Sequence, residues 1–425
     1  MSCISHCRFI GLMAAAVVTV SCADSSTSPL TSVTAPARAS ASRGVSDFVA
    51  PASIGWQEQA RTLVGANKLS PLAAARVYAA VSVAQYQAVA AIDDHGKDGE
   101  LRENGVGAGG RSALEAQRGA VAGASAQVLS FFFPAAAASL EQLVETEGNA
   151  TPGNVNPQFT RGLATGRSAG DNMVARLRAD HFTAPFTGTV PVGPGLWIAN
   201  GPPAGATFGG VTPYFLTSGD QFRPAPPPAF GSTAYLTDLH EIRALSDGRT
   251  PAQLAIALYW NFPTGTFTPP GYWDRAASDY IVAHALDERA ATRTFALTNA
   301  AQMDALIGCF DAKYTYWMIR PPQADPGITL TFPVPNHPSY PSAHSCVSAA
   351  AATVLGAIFP DRTAELNGWV TEAGLSRMYA GIHYRFDITA GRNLGEAVGR
   401  WALAHANRID PVIARPRHHD SGEDN

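Results

Sequence analysis

Apolar residues recur every three or four positions along most of the chain from about position 70 onward. This spacing is typical of helices that bury one face, whereas a half-buried strand alternates with a period of two. The first such segment follows Ser70 and Pro71, which suit a helix cap and a first helical position. Strand-like alternation is almost absent, so the pattern predicts an all-α protein. The predicted helices cover residues 72–93, 112–133, 135–147, 160–181, 237–245, 250–262, 275–319, 345–359, 363–382 and 387–409.

Two stretches rich in proline and glycine interrupt this pattern. Residues 183–233 include "GPGLWIANGPPAGATFGG", and residues 268–273 read "TPPGYW". These stretches are too apolar for a disordered chain, so we expect ordered loops that fold over the helices. Residues 45–412 are therefore predicted to form one domain of helical bundles with long Pro/Gly-rich loops, arranged as one bundle or two packed bundles.

The start of the chain has the features of an export signal. A short apolar run follows Arg8, and residues 1–22 are predicted to be a signal peptide. Its end, "TVSC", resembles a bacterial lipoprotein box in which Cys22 carries the lipid, although Thr19 stands where leucine is usual. Plain secretion is the alternative. Residues 23–44 are predicted to be a flexible linker and residues 413–425 a polar tail.

These features predict an exported protein, either periplasmic, an outer-membrane lipoprotein or extracellular. Membrane contact is expected only through an N-terminal lipid, because no later stretch has eighteen apolar residues in a row. The 30 Lys and Arg residues nearly balance the 34 Asp and Glu residues, and no basic tract occurs, which argues against a nucleic-acid partner. For Cys309 and Cys346 we favour two buried free thiols over a disulfide.

The chemistry is concentrated in three short stretches. In "KYTYWMIRP", Lys313 and Arg320 stand seven residues apart, which predicts that both lie on one face of a helix. In "PSAH", Ser342 is predicted to begin a helix whose second residue is His344. Each stretch taken singly also fits a solvated helix face or a simple cap.

The third stretch, "SRMYAGIHYRFD", contains Arg377, His383 and Asp387. Asp387 follows His383 by four residues, so on one helix face it would accept the Nδ1 proton and leave Nε2 free. Free N–H groups at a helix start favour an anion, and arginine suits the oxygens of a tetrahedral oxyanion. Three cations without matching carboxylates are costly to bury unless an anion joins them.

Together the three stretches resemble the signature of the PAP2 and vanadium haloperoxidase superfamily, K-x6-RP, PSGH and SR-x5-H-x3-D. The segments "LHEIRAL", "RTPAQLAIALYW", "TPPGYW" and "FDAKYTY" resemble the framework of its soluble bacterial branch. The departure is Ala343, where the family normally has glycine. Its N–H group survives the change, but a methyl group would crowd the oxyanion, and a positive φ would be strained.

The resemblance implies the role of each site residue. The oxyanion, vanadate or phosphate, would be bound by Lys313, Arg320, Ser342, the backbone N–H of Ala343, and Arg377. His383 would coordinate vanadium through Nε2 or attack phosphorus, and Asp387 would orient it. His344 would be the acid–base residue.

The resemblance also implies the activity, which we predict to be that of a vanadate-dependent haloperoxidase with one vanadate per chain. Its partners would be hydrogen peroxide, a halide and a small organic substrate. The alternatives are a secreted acid phosphatase with His383 as phospho-acceptor and a non-catalytic oxyanion-binding lipoprotein. His337 and Phe310 are further candidates for the pocket, with a simple turn as the alternative for His337. The sequence leaves the oligomeric state open.

Overall fold

The computed structural model describes residues 50–97, 108–149 and 156–411, which belong to one compact unit. The predicted signal peptide (1–22) with Cys22, the linker (23–44) and the tail (413–425) lie outside the described residues. So do the outermost positions of the predicted domain, 45–49 and 412.

The described residues contain thirteen α-helices and no named strand, which confirms the all-α prediction. No helix in this part of the chain is long and apolar enough to cross a membrane. The helices are α1 (Ala52–Ala66), α2 (Pro71–Lys97), α3 (Ala108–Phe132), α4 (Ala137–Gly148), α5 (Pro157–Arg178), α6 (Thr233–Asp247), α7 (Pro251–Tyr259), α8 (Thr268–Ala283), α9 (Glu288–Tyr316), α10 (Pro321–Ala324), α11 (Ala343–Ile358), α12 (Thr363–Tyr379) and α13 (Arg385–Ala404).

Three features differ from the sequence-based expectation. The stretch 268–273, expected to be a loop, forms the start of α8, because Pro269 and Pro270 occupy a first turn in which no N–H partner is needed. The predicted segment 275–319 is divided at Asp287, whose side chain caps α9 by accepting from Ala290 N at 2.8 Å. Helix α1 is an addition, and its buried face includes Gln57 and Arg61.

The irregular stretch 183–233 packs over the helices, as expected for an ordered loop. Asp304 on α9 anchors it, because its carboxylate accepts from the backbone N–H groups of Tyr214, Phe215 and Leu216 at 2.8, 2.7 and 3.0 Å. Burial raises the pKa of Asp304 to about 6, so the anchor is ionised at neutral pH. Nearer the start of the loop, Trp197 N donates to Trp317 O at 2.7 Å. The loop is thereby fixed to the end of α9.

Helices α11 and α13 approach each other closely through glycine. A Cβ atom added to Gly391 would lie 2.6 Å from Ser342 O, and one added to Gly395 would lie 2.2 Å from Cys346 O. The closeness allows Ser342 N to donate to Asp387 O at 3.0 Å, which joins the start of α11 to the first turn of α13. The packing of these two helices therefore brings two of the signature stretches together.

We predict that Gly391→Ala lowers the free energy of unfolding by about 2 kcal/mol, because the added methyl group forces α13 away from α11. The matched control is Gly368→Ala on the exposed face of α12, where an added Cβ meets nothing within 4 Å. That change should be neutral or stabilise by up to about 1 kcal/mol. Urea unfolding measures both. Equal stability of the two variants would contradict the account of this contact.

Candidate active site

Lys313 and Arg320 lie in one buried site but do not share a helix face, so that expectation is wrong. Helix α9 ends at Tyr316, and Trp317 takes the left-handed conformation with φ 50°. The chain then turns, and Arg320 precedes the short helix α10. Both side chains are fully buried. The turn at Trp317, which a seven-residue spacing cannot reveal, brings the two cations together.

Ser342 caps helix α11, as predicted. Its hydroxyl accepts from Ser345 N at 3.4 Å, and Ala343 is the first helical residue. The first N–H groups of a helix have no partner within the helix, so this start offers donors to an anion. Ala343 is not among the described non-glycine residues with positive φ. Replacement of the family's glycine by alanine therefore introduces no backbone strain here.

The third stretch spans two helices and the turn between them. Arg377 lies in the last turn of α12, Asp387 lies in the first turn of α13, and His383 precedes α13. The expectation that His383 and Asp387 share a helix face is therefore wrong, yet the predicted contact exists. His383 Nδ1 and Asp387 Oδ2 lie 2.7 Å apart, because the turn folds the imidazole back over the helix start.

The pair of His383 and Asp387 has a defined protonation pattern. Burial raises the pKa of Asp387 to about 6, and burial together with nearby Arg320 lowers the pKa of His383 well below its usual range. At neutral pH the histidine is therefore neutral and its Nδ1–H donates to the carboxylate. Ser339 Oγ, at 2.5 Å, and Tyr384 N, at 3.1 Å, also donate to Asp387 Oδ2. The lone pair of His383 Nε2 is left to accept or to bind a ligand.

Backbone carbonyls surround Lys313. Its Nζ donates to Pro338 O, Ser339 O and Pro341 O at 2.9, 2.7 and 2.5 Å. Burial lowers the pKa of Lys313 from 10.5 to about 8, so the ammonium group is still charged at neutral pH. The backbone of residues 338–341 thus holds Lys313, the cation that the family resemblance places among the oxyanion-binding residues.

Arg320 joins the histidines of the site. Its Nη1 donates to Ile382 O at 2.9 Å and to His383 Nε2 at 3.1 Å. Its Nη2 donates to His337 Nδ1 at 3.0 Å, so His337 is part of the site and more than a turn residue. Burial lowers the pKa of Arg320 to about 10. In this arrangement Arg320 occupies the lone pair of His383 that the family resemblance assigns to vanadium or phosphorus.

Arg377 is the cation with unused hydrogen-bonding capacity. Its Nη1 donates to Trp260 O at 3.3 Å, its guanidinium carbon lies 4.8 Å from the Phe332 ring centre, and its buried Nε has no hydrogen-bond partner. Burial lowers its pKa to about 9. A buried N–H without a partner is costly, and an anion in the adjoining cavity would satisfy it.

His344 contacts the same carbonyl oxygen. Its Nε2 lies 2.9 Å from Trp260 O, so Nε2 carries the proton and Nδ1 does not. Burial and the charge of Arg377 lower its pKa well below the usual range. A neutral imidazole with a free Nδ1 can take up a proton, which suits the acid–base role assigned to it.

These residues border a cavity of 460 Å³. Its lining includes Ala343, His344, Arg377 and His383, and Phe310 belongs to its wall as predicted. Lys313, Arg320 and Ser342 do not line the cavity and are fully buried. Their charge or dipole would therefore act on an anion in the cavity without direct contact.

The charges of the site fit a tetrahedral oxyanion such as vanadate or phosphate. Lys313, Arg320 and Arg377 are buried cations, and among the described residues of the site they meet one carboxylate, Asp387. An unpaired excess of buried positive charge is unfavourable, and a dianion would offset it. The described residues hold no cluster of three or more His, Cys, Asp or Glu that could bind a metal. A vanadate held by one histidine and several cations needs no such cluster.

Two contributions were not predicted from the sequence. Ser339 donates to Asp387, and its position two residues before the signature stretch "PSAH" was the available signal. Trp260 contributes a backbone carbonyl, which carries no side-chain signal in a sequence. Cys309 and Cys346 are both buried and free, as favoured from the sequence.

Comparison with known proteins agrees with this site. Residues 293–409, which contain every predicted site residue, match the sequence model of the PAP2 superfamily. This part of the chain therefore belongs to the PAP2 superfamily. A non-specific acid phosphatase of Salmonella typhi is 44% identical over 59 residues, which are 13% of this chain and 23% of that protein. The chain thus matches less than a quarter of the length of this curated relative.

The whole fold is that of the bacterial vanadium haloperoxidases. A bacterial vanadium-dependent iodoperoxidase superposes with a TM-score of 0.69 at 23% identity, over 85% of this chain and 98% of that chain. A bacterial vanadium-dependent chloroperoxidase in its holo form superposes with a TM-score of 0.66 at 15% identity, over 86% and 99%. At these identities the likeness establishes the fold.

We predict that Lys313 makes stability rise with pH above 8. Between pH 8 and 10.5 the unfolded chain binds a proton that folded Lys313 has lost, so raising the pH favours the folded state. The gain from pH 8 to 9.5 should be about 1.5 kcal/mol, at 1.36 kcal/mol per pKa unit. Urea unfolding in phosphate-free buffer measures it, with Lys313→Met as the control that should keep only the smaller rise due to Arg377, whose folded pKa is about 9. The same slope in both proteins would show that another group titrates.

Proposed function

We propose that this protein is a vanadate-dependent haloperoxidase that oxidises a halide with hydrogen peroxide. The observation that carries the proposal is the buried excess of positive charge around His383 Nε2, in a chain that has the bacterial haloperoxidase fold over nearly its whole described length. The named activities of the structural relatives, an iodoperoxidase and a chloroperoxidase, support this class of reaction.

In this proposal, one set of residues would bind vanadate and stabilise its negative charge. His383 would hold vanadate through Nε2 in place of Arg320, with Asp387 fixing the tautomer that leaves this nitrogen unprotonated. Arg377, the first N–H groups of α11 and the charges of Lys313 and Arg320 would stabilise the oxyanion. When bound, vanadate would supply Lewis-acid activation of hydrogen peroxide toward a halide.

His344 would move the proton. Hydrogen peroxide must lose a proton to become a good ligand, and the hydroxyl of Ser342 is too weak an acid to exchange one at neutral pH. The neutral imidazole of His344, held at Nε2 by Trp260 O, has Nδ1 free to accept it. A bound dianion would offset the charge of Arg377 and make protonation of His344 easier.

A second candidate, an acid phosphatase, is favoured by the 59-residue match to the Salmonella typhi enzyme. The same donors would hold a phosphate ester, His383 Nε2 would attack phosphorus, and His344 would protonate the leaving group. The two reactions share one anion site because vanadate and phosphate are both tetrahedral oxyanions.

Two assays on the full chain separate the candidates. After reconstitution with vanadate, a haloperoxidase should brominate monochlorodimedone with bromide and hydrogen peroxide, and lose this activity when vanadate is removed. A phosphatase should hydrolyse p-nitrophenyl phosphate in metal-free buffer and be inhibited by vanadate. Phosphatase activity without bromination would overturn the haloperoxidase proposal, and absence of both would favour the oxyanion-binding alternative.

We predict that Arg377→Ala lowers vanadate affinity at least tenfold, or about 1.4 kcal/mol. The reason is loss of a buried cation that has a free N–H beside the cavity. The matched control is Arg400→Ala, an arginine on α13 whose side chain is 64% exposed, and its affinity should stay within about twofold of the parent protein. Equilibrium dialysis measures both. Equal affinities would remove Arg377 from the anion site.

We predict that His344→Ala retains vanadate within about tenfold yet brominates on the order of 10²-fold more slowly at saturating vanadate. The side chain is assigned to proton transfer, so its loss should affect turnover more than binding. Vanadate dialysis and steady-state bromination on the same preparation give the two numbers. A variant that binds poorly but turns over normally once saturated would make His344 a binding residue.

A further inference from the structure

A second cavity shares no lining residue with the one beside His383. Its volume is 830 Å³, within the range of about 300–1,000 Å³ that is usual for pockets that bind small organic molecules. Half of its lining residues belong to α5, and the others come from α2, from Tyr214 and from the segment 408–411 that follows α13. We call it the α5 cavity. An inorganic ion would fill only a small part of it, because a water molecule takes up about 30 Å³ in the liquid.

The charged side chains that line the α5 cavity are both arginines, Arg176 on α5 and Arg408 after α13. No aspartate or glutamate is among its described lining residues. Both guanidinium groups donate to backbone carbonyl oxygens, which stabilise a cation without neutralising it. The wall of the cavity therefore presents a local excess of positive charge, which favours an anionic ligand.

Arg176 is held in position beside Tyr214. Its Nη2 donates to Thr212 O at 3.2 Å and to Pro213 O at 2.8 Å, and its guanidinium carbon lies 4.4 Å from the centre of the Tyr214 ring. Stacking on an aromatic ring and bonding to two carbonyls restrict the rotation of the side chain. A guanidinium group has five N–H donors, so these contacts leave donors for a carboxylate.

The same backbone segment, residues 212–216, also holds Arg408. Its Nη1 donates to Phe215 O at 2.6 Å. The segment is itself fixed, because three of its N–H groups donate to the carboxylate of Asp304 on α9. Pro213 and Phe215 are at most about 7 Å apart along the chain. The two arginines that they hold are therefore close enough for one small molecule to contact both.

The remaining wall combines hydrogen-bonding and apolar side chains. Apolar surface comes from residues such as Met173, and amide and hydroxyl groups come from Gln87, Thr165, Ser168 and Asn172. A pair of exposed charges gains little free energy in water, because holding two long side chains in one geometry costs entropy. The two arginines of this cavity are already held by their carbonyl partners, so less of that cost remains when a ligand binds.

We propose that the α5 cavity binds a small organic dicarboxylate, with one carboxylate group at Arg176 and the other at Arg408. Two fixed cations match two carboxylates on a short carbon chain, whereas a monocarboxylate would use only one of them. The polar and apolar side chains of the wall would contact the body of the ligand. This site is separate from the oxyanion site, and the proposal does not depend on which reaction that site performs.

The binding test is isothermal titration of the full-length protein with glutarate at low ionic strength, where surface charges are least screened. Saturating vanadate is present, so that the site around His383 does not take up the probe. We expect saturable binding, at least about tenfold tighter than that of pentanoate, which has the same number of carbons and one carboxylate. Equal affinity for the two acids, or no saturable binding of glutarate, would overturn the proposal.

Arg176→Gln and Arg408→Gln each remove one of the two cations. Each variant should bind glutarate at least about tenfold more weakly, and its preference for glutarate over pentanoate should fall below about threefold. This ratio is a readout that a merely structural effect would not change. Arg400→Gln is the matched control, because its side chain is 64% exposed and does not line the cavity, and its affinity should equal that of the parent protein. Arginine variants that keep the preference of the parent protein would contradict the assignment.

Ser168→Trp tests the cavity without altering either arginine. Ser168 is an exposed lining residue of α5, so the larger side chain adds bulk at the cavity while the core stays intact. The matched control is Ala175→Trp, at an exposed residue of the same helix that does not line the cavity. We expect glutarate affinity to fall at least about tenfold in Ser168→Trp and to be unchanged in Ala175→Trp. Equal affinity in these two variants would overturn the proposal, even if the arginine variants fail to fold.

Discussion

Burial of three cations against one carboxylate is the constraint on which the rest of this site depends. Lys313, Arg320 and Arg377 are almost completely removed from solvent, and Asp387 is the carboxylate that faces them. Backbone carbonyls compensate in part, with three around Lys313, and those of His337 and Ile382 on Arg320. Carbonyl dipoles stabilise a cation without neutralising it, so the site keeps an excess of positive charge that an oxyanion can offset.

The fold maintains this arrangement by close packing of small residues. Gly391 and Gly395 let α13 lie against α11, which places Asp387 beside the start of that helix and under His383. The segment that follows α9 is fixed at its start, where Trp317 O accepts from Trp197 N. Charges that repel one another are thus held together by contacts made elsewhere in the helical core, and a bound anion would return part of that free energy.

Much of this could be predicted from the sequence, and the reasons for the rest are physical. The periodic spacing of apolar residues predicted nearly all of the helices, because most of them bury one apolar face. Helix α1 was missed because its buried face includes Gln57 and Arg61, whose N–H groups donate to partners distant in the chain, such as Ser82 for Gln57 and Asp274 for Arg61. The prediction that Lys313 and Arg320 lie on one helix face was wrong, because α9 ends before Arg320 in a left-handed turn at Trp317 that depends on tertiary packing. The carbonyl of Trp260 could not be predicted, since any residue supplies the same oxygen.

The most direct test is a crystal structure of the protein grown with vanadate and measured at the vanadium absorption edge. We predict one anomalous peak per chain, next to His383 Nε2, with an oxygen of the vanadate within hydrogen-bonding reach of Arg377 Nε. The hydrogen bond from Arg320 Nη1 to His383 Nε2, 3.1 Å in the present structure, should be broken, because the ligand takes over that lone pair. A peak elsewhere, or an intact bond between Arg320 and His383 beside a vanadate that does not contact His383, would contradict it.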